Sequence, residues 1–158
     1  MKSFRLNIVP PTTTAQQKKI RIIQKGGKHM PMMYDPKSVV EAKEKLKGHL
    51  LEHVPPSPLM GPLAVEIDWV WPWRKSELKG RINAYDRFPC DNRPDIDNLC
   101  KAFFDCMTNT GFWGDDSQIY DLRFRKWWGD KPGIEVKIIH GDELPDGPVT
   151  KQQNLIKI

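Results

Sequence analysis

Residues 93–119 read RPDIDNLCKAFFDCMTNTGFWGDDSQI. Leu99, Phe103 and Met107, with Ala102 and Cys106 beside them, recur at helical spacing, so the stretch predicts a helix over about 96–109 with one apolar face. Gly111 ends it. Asp97, Lys101 and Asp105 stand at i, i+4 and i+8 and rise along the opposite face. Asp95 precedes the first turn, where a carboxylate suits the positive end of the helix dipole. Asp115 and Asp116 follow the stop and lie just before the next strand. A helix beside a neighbouring strand is expected to bring this second acidic pair next to the first.

Working outward, Leu63, Val65, Ile67, Trp69 and Trp71 share one face of a strand that Pro72 stops. Downstream, Tyr120, Leu122, Phe124 and Trp128 alternate with Asp121, Arg123 and Arg125, and Ile134, Val136 and Ile138 mark a last strand after a turn at 129–133. Near the start, Phe4, Leu6 and Ile8 alternate with Arg5 and Asn7, and Ile20 and Ile22 alternate with Lys19 and Arg21 before a turn at Gly26-Gly27. Asp35 as N-cap, Pro36 in the first turn and apolar Val39, Ala42, Leu46 and Leu50 predict a helix over about 36–53. The expected order is β-β-α-β-α-β-β. That is an α+β single domain over residues 1–140, a mixed β-sheet packed against two main helices, with a polar, poorly ordered C-terminal tail over 141–158. Residues 72–93, rich in Lys and Arg, are expected to be a long functional or mobile loop.

The 158 residues carry a formal net charge of +5, with a sequence pI of about 9.1, which favours a polyanionic partner. Cys90, Cys100 and Cys106 lack zinc-type spacing and read as reduced thiols of a cytosolic protein. The N-terminus does not read as a signal peptide, and no run approaches the ~20 apolar residues of a membrane span. A soluble, cytoplasmic protein without a membrane partner is the expectation.

Five aspartates in 93–119 repel one another unless something neutralises them. All-oxygen donors with few His or Cys nearby point to magnesium, or manganese, rather than zinc. Lys101 cannot ligate while charged, but suits negative charge developing on a phosphoryl oxygen. Such a set implies cutting of a phosphodiester. Asn98 orients a carboxylate or is simply a polar first-turn residue. The bland alternative makes Asp95 a helix cap, Asp105–Lys101 a surface ion pair and Asp115-Asp116 a solvated turn. A basic rim is expected from Arg74, Lys75, Lys79, Arg81, Arg87 and Arg93, with Arg123, Arg125 and Lys126 as a second set. Trp71, Trp73 and Trp113 either stack on bases or pack in the core.

The string P-D-x-D-N-L-x-K-x-x-x-D, then G-x-x-x-D-D-x-Q-I, resembles the RusA-type Holliday junction resolvases. It is carried by Pro94, Asp95, Asp97, Asn98, Leu99, Lys101, Asp105, Gly111, Asp115, Asp116, Gln118 and Ile119. Residues 10–33 and 72–93 match that family poorly. The resemblance implies a metal-dependent homodimer with an α+β fold that resolves four-way DNA junctions by paired symmetric nicks in recombination and repair, with a prophage setting as the family's usual habitat. It implies Asp95, Asp97 and Asp116 as catalytic, magnesium-binding carboxylates and Lys101 as the catalytic lysine. Asp115 is implied as a further metal ligand, and Asn98 and Asp105 as supporting residues. A metal-activated water would leave 5′-phosphate and 3′-hydroxyl ends. A dimer face is expected among exposed apolar strand residues near Trp69 or Trp127. A non-catalytic junction-binding module and a metal-dependent nuclease on other branched or single-stranded DNA remain the alternatives.

Overall fold

The computed structural model describes residues 1–12 and 19–149. Leu155 and Ile156, and with them the end of the expected tail, lie outside the described residues. Strands β1 (Lys2–Leu6), β4 (Leu63–Pro72), β5 (Arg87–Pro89), β6 (Ile119–Gly129) and β7 (Gly133–His140) form one sheet in the order β1-β7-β4-β6-β5. Strands β2 (Lys19–Lys25) and β3 (Lys28–Tyr34) pair only with each other. The helices are α1 (Lys37–Leu51), α2 (Lys79–Ala84) and α3 (Ile96–Thr110). Among the described residues no helix is long and apolar enough to cross a membrane.

β4 and β6 pair in parallel, whereas the other pairs of the sheet are antiparallel. Parallel neighbours need a crossover connection, and here it is the run 73–118, which contains α3. Val65, Ile67, Trp69 and Trp71 of β4 face that helix, and the core they share includes Leu99, Phe103 and Met107 of α3 and Leu46 and Leu50 of α1. Trp69 meets Phe103 edge-on at 5.4 Å between ring centroids. With Phe103 fully buried, truncating it to alanine would cost roughly 3–5 kcal/mol.

The opposite sheet face is charged. Arg87 makes two hydrogen bonds of 3.0 and 2.9 Å to Glu135, whose carboxylate also accepts from Arg5 at 2.5 Å. Arg125 grips Asp68 through two bonds of 2.7 Å, and the Trp127 indole donates to the same carboxylate. Burial pushes the Asp68 carboxyl up, but the hydrogen bonds from Arg125 and Trp127 and the charge of both arginines leave it below its ordinary value.

The α+β class, the mixed sheet and the two main helices match the expectation. The order gains three elements: β3, α2 and β5. The expected loop over 72–93 holds α2 and β5, and Glu77 inside it is buried between Arg74 and Arg81. Asp35 does not cap α1. Pro36 takes the N-cap position without a side-chain bond, and Asp35 instead accepts from Lys43 at 3.2 Å. Trp69, Trp71 and Trp113 are buried, so Trp69 marks no exposed face and Trp71 and Trp113 are core residues. Trp73 donates to Asp130. The three cysteines are free and buried, and burial pushes the Cys106 thiol up to about 11.

Candidate active site

α3 sets where the acidic side chains sit. Asp95 is its N-cap residue, with extended backbone (φ −70°, ψ 149°), yet its carboxylate makes no capping bond. Its side chain is exposed and, like that of the exposed Asp97 in the first turn, has no hydrogen bond or ion pair among the described residues. Lys101 is exposed one turn on, with no ion pair to Asp105 within reach among the described residues. The Asn98 amide oxygen is buried without a hydrogen-bond partner, a placement that costs roughly 1–3 kcal/mol when left so. A buried acceptor of that kind calls for an explanation beyond packing.

At the other end, Gly111 closes α3 in the left-handed conformation (φ 97°), and its N–H bonds to the carbonyls of Met107 and Thr108. The chain then enters a short 3-10 turn over Asp116–Gln118. Asp115 caps that turn, accepting from the Ser117 N–H at 2.7 Å, and these bonds hold its carboxyl below the ordinary range. The Asp116 carbonyl accepts from the Ile119 N–H, and its exposed side chain lies within hydrogen-bond reach of the Asp115 carboxyl. Gln118 ties the segment down: its carbonyl oxygen accepts from the Gly114 and Asp115 N–H groups, and its amide donates to the carbonyls of Leu59 and Gly61. The sequence contained this in its Asp-x-x-Gln spacing, a capping-box signature.

Asp115 and Asp116 line one cavity with Asp105, which stands eight residues, roughly 12 Å, along α3 from Asp97. α3 has 15 residues, a rise of roughly 21 Å, and Asp95 precedes it while Asp115 and Asp116 follow it. β6 runs back along that length. Ile119 at its start lies beside the 3-10 turn, and Lys126 near its end donates to the carbonyls of Asn92 (2.6 Å) and Pro94 (2.9 Å), just before Asp95. The step from Ile119 to Lys126 along β6, roughly 23 Å, is close to the rise of α3, so the acidic pairs lie towards opposite ends of that helix. Among the described residues no three His, Cys, Asp or Glu side chains are placed to hold a metal ion. The donor chemistry suits a hard dication, but the arrangement in one chain does not close around it.

A cavity of about 230 Å³ instead joins Asp105, Asp115 and Asp116 to Lys43 and Lys47 of α1. Both lysines were missed from sequence, because α1–α3 packing brings them there and no local pattern announces it. The expected basic rim divides. Arg74 and Arg81 hold Glu77, Arg87 holds Glu135, Arg125 holds Asp68 and Lys126 holds the loop before Asp95. Lys75, Lys79 and Arg93 are exposed and have no ion-pair partner among the described residues.

The family model described as Endodeoxyribonuclease RusA matches residues 9–139. The chain belongs to the RusA endodeoxyribonuclease family. Crossover junction endodeoxyribonuclease RusA of Escherichia coli is 53% identical over 62 residues, 39% of this chain and 50% of that protein. The protein of the same name from Enterobacteria phage 82 matches with the same figures. Another Escherichia coli RusA is 47% identical over 68 residues, 42% of this chain and 55% of its own. The chain thus spans about half the length of the curated relatives it matches. The string that carries the resemblance runs from the residue before α3, along the helix and into the 3-10 turn beyond it, and the Asp95 and Asp97 carboxylates have no hydrogen bond or ion pair among the described residues.

Proposed function

We propose that this chain is an endodeoxyribonuclease that resolves four-way (Holliday) DNA junctions by paired symmetric nicks, serving recombination and repair. The observation that carries the reading is the state of the motif carboxylates. Asp95 and Asp97 are exposed with no hydrogen bond or ion pair from their side chains among the described residues, Lys101 one turn on is equally free, and Asp116 is exposed beside Asp115, all in a protein of net charge +5. Magnesium, or manganese in its place, is the cation that all-carboxylate donors would take.

The separation of the pairs favours a homodimer. A two-fold copy laid antiparallel to α3 would set Asp95 and Asp97 of one chain against Asp115 and Asp116 of the other, giving two equivalent sites. Four-way DNA has matching symmetry, so two sites would cut two strands. Within each site Lys101, one turn beyond Asp97, would present its ammonium to the phosphoryl oxygen that gains charge as the P–O bond breaks. Lys43 and Lys47 would hold flanking phosphates on the side of Asp116, and Lys75, Lys79 and Arg93 on the side of Asp95.

The test is a labelled four-way junction incubated with the protein, with and without magnesium, beside Asp97→Asn. Symmetric metal-dependent nicks by wild type alone are expected. Binding without nicks, or faster cutting of flaps or single strands, would refute junction resolution.

A further inference from the structure

The β2–β3 hairpin is built unlike the rest of the molecule. Gly26 and Gly27 form its two-residue turn with φ of 60° and 75°, the double positive-φ geometry that matches strand twist. Register pairs Lys19 with Tyr34 and Lys25 with Lys28, with no irregularity between. Every residue of both strands is exposed except Ile23, which is half-buried. An isolated two-stranded hairpin is marginal in water, and this one leaves Ile20, Ile22 and Met33 at 68%, 71% and 63% exposure. A hairpin so little supported by the rest of the fold is suited to a partner.

Charge says which one. No Asp or Glu precedes Asp35 in the sequence, so the hairpin carries Lys19, Arg21, Lys25 and Lys28 with no acidic residue beside them. Paired residues of a hairpin share a face and alternate residues change face. The register therefore puts all four cations on one face, with the half-buried Ile23 and with Tyr34, Met32 and Met30 between them. The Arg21 guanidinium lies 5.9 Å from the Tyr34 ring centroid. None of the four has an ion-pair partner among the described residues, in contrast to Arg74, Arg81, Arg87 and Arg125. The opposite face, with Ile20, Ile22, Pro31 and Met33, carries no Lys or Arg.

We propose that the β2–β3 hairpin is a second DNA contact, lying with its cationic face on the phosphodiester backbone of one duplex arm of the substrate. The inference rests on the nuclease reading above and extends it to where the DNA runs. Each strand spans roughly 20 Å, more than half of the ~34 Å helical turn of a duplex. The protein therefore holds its substrate at a site with unengaged carboxylates and, separately, at an arm with unengaged cations. The neutral face would turn away from the phosphates.

The experiment measures binding of a fluorescent four-way junction by anisotropy, in EDTA and over a range of salt concentrations. It compares wild type with a variant carrying Lys19→Gln, Arg21→Gln, Lys25→Gln and Lys28→Gln. Because all four side chains are exposed, circular dichroism and Tm should match wild type. Four lost phosphate contacts would make the slope of log K against log salt less negative by roughly 3–4 and weaken binding at least tenfold at about 0.1 M salt. At saturating protein with magnesium the variant should still nick. Unchanged affinity and slope would overturn the proposal while leaving the nuclease reading intact. Failure of wild type itself to bind or nick the junction would overturn both. A second variant, Ile20→Ser with Ile22→Ser and Met33→Ser, is examined by sedimentation. If it splits a dimer while the glutamine variant binds normally, the hairpin is a contact between copies and the proposal is overturned.

Discussion

Mixing two inactive variants gives a direct reading of how the acidic pairs are shared. Asp97→Asn removes a carboxylate before the first turn of α3 has ended, and Asp116→Asn removes one that shares a cavity with Asp105, eight residues or roughly 12 Å further along the same helix. Neither position is buried, so both variants should fold like wild type. If each site of a two-fold dimer takes Asp95 and Asp97 from one chain and Asp115 and Asp116 from the other, a mixed dimer has one site with both lesions and one with none. Random exchange in an equal mixture makes about half of the dimers mixed, so about one quarter of all sites are intact. The mixture should therefore nick a labelled junction at about one quarter of the wild-type rate, on one strand of each junction, although each variant alone is inactive. The assay is denaturing gel analysis after the chains have been exchanged in mild denaturant and returned to buffer. No recovery of nicking, with exchange verified by mass, would refute the shared arrangement.

Lys126→Met removes two ammonium hydrogen bonds to the carbonyls that precede Asp95; it should lower kcat by on the order of 100-fold through displacement of that carboxylate, leave KM unchanged, and be partly rescued by Lys126→Arg. A normal kcat with weaker, less salt-dependent DNA binding would instead make Lys126 a phosphate contact. Gln118→Glu keeps the acceptor for the Gly114 and Asp115 N–H groups but sets a carboxylate against the Leu59 and Gly61 carbonyls; faster hydrogen exchange at 114–117 and reduced nicking are expected. In Gly133→Ala the new Cβ would lie 2.8 Å from the Leu6 carbonyl oxygen, so pairing of β1 with β7 should weaken by roughly 1–3 kcal/mol, read as a lower urea midpoint. The Arg87 guanidinium holds the Glu135 carboxyl below its ordinary value of 4.5. The folded chain thus binds fewer protons there than the unfolded one, and this contribution is complete above that value and lost as pH falls through the lower folded pKa. Tm below about pH 4 should consequently fall less steeply in Glu135→Gln than in wild type.

What the sequence revealed follows from how strongly each element is buried on one side. α1 and α3 each expose one face and bury the other, and β4 buries one face fully while Glu66 and Asp68 mark its second, so their periodicities stand out. β3 is exposed on both faces and interrupted by Pro31, and α2 is six residues long with nothing buried, so neither has a pattern to read. The motif residues were legible, and so was the family. Their grouping was not, because the order of helix and strand was read as proximity. The turn after Gly111 sets the grouping, bringing Asp116 to the cavity with Asp105, eight residues or roughly 12 Å along α3 from Asp97. The basic rim failed to sort for a different reason: Arg87 and Arg125 look like surface charge until Glu135 and Asp68 are brought opposite them by strand register.

The position of β7 has a consequence for biosynthesis. It is the last strand of the sheet to leave the ribosome, yet it lies between β1 and β4 and pairs with both. Until residues as late as His140 have emerged, β1 has no neighbour and β4 has an open edge. A nascent or prematurely terminated product would thus expose an apolar strand with nothing to zip onto. Chaperone capture or proteolysis is the fate that topology assigns to a chain that stops before β7 is complete.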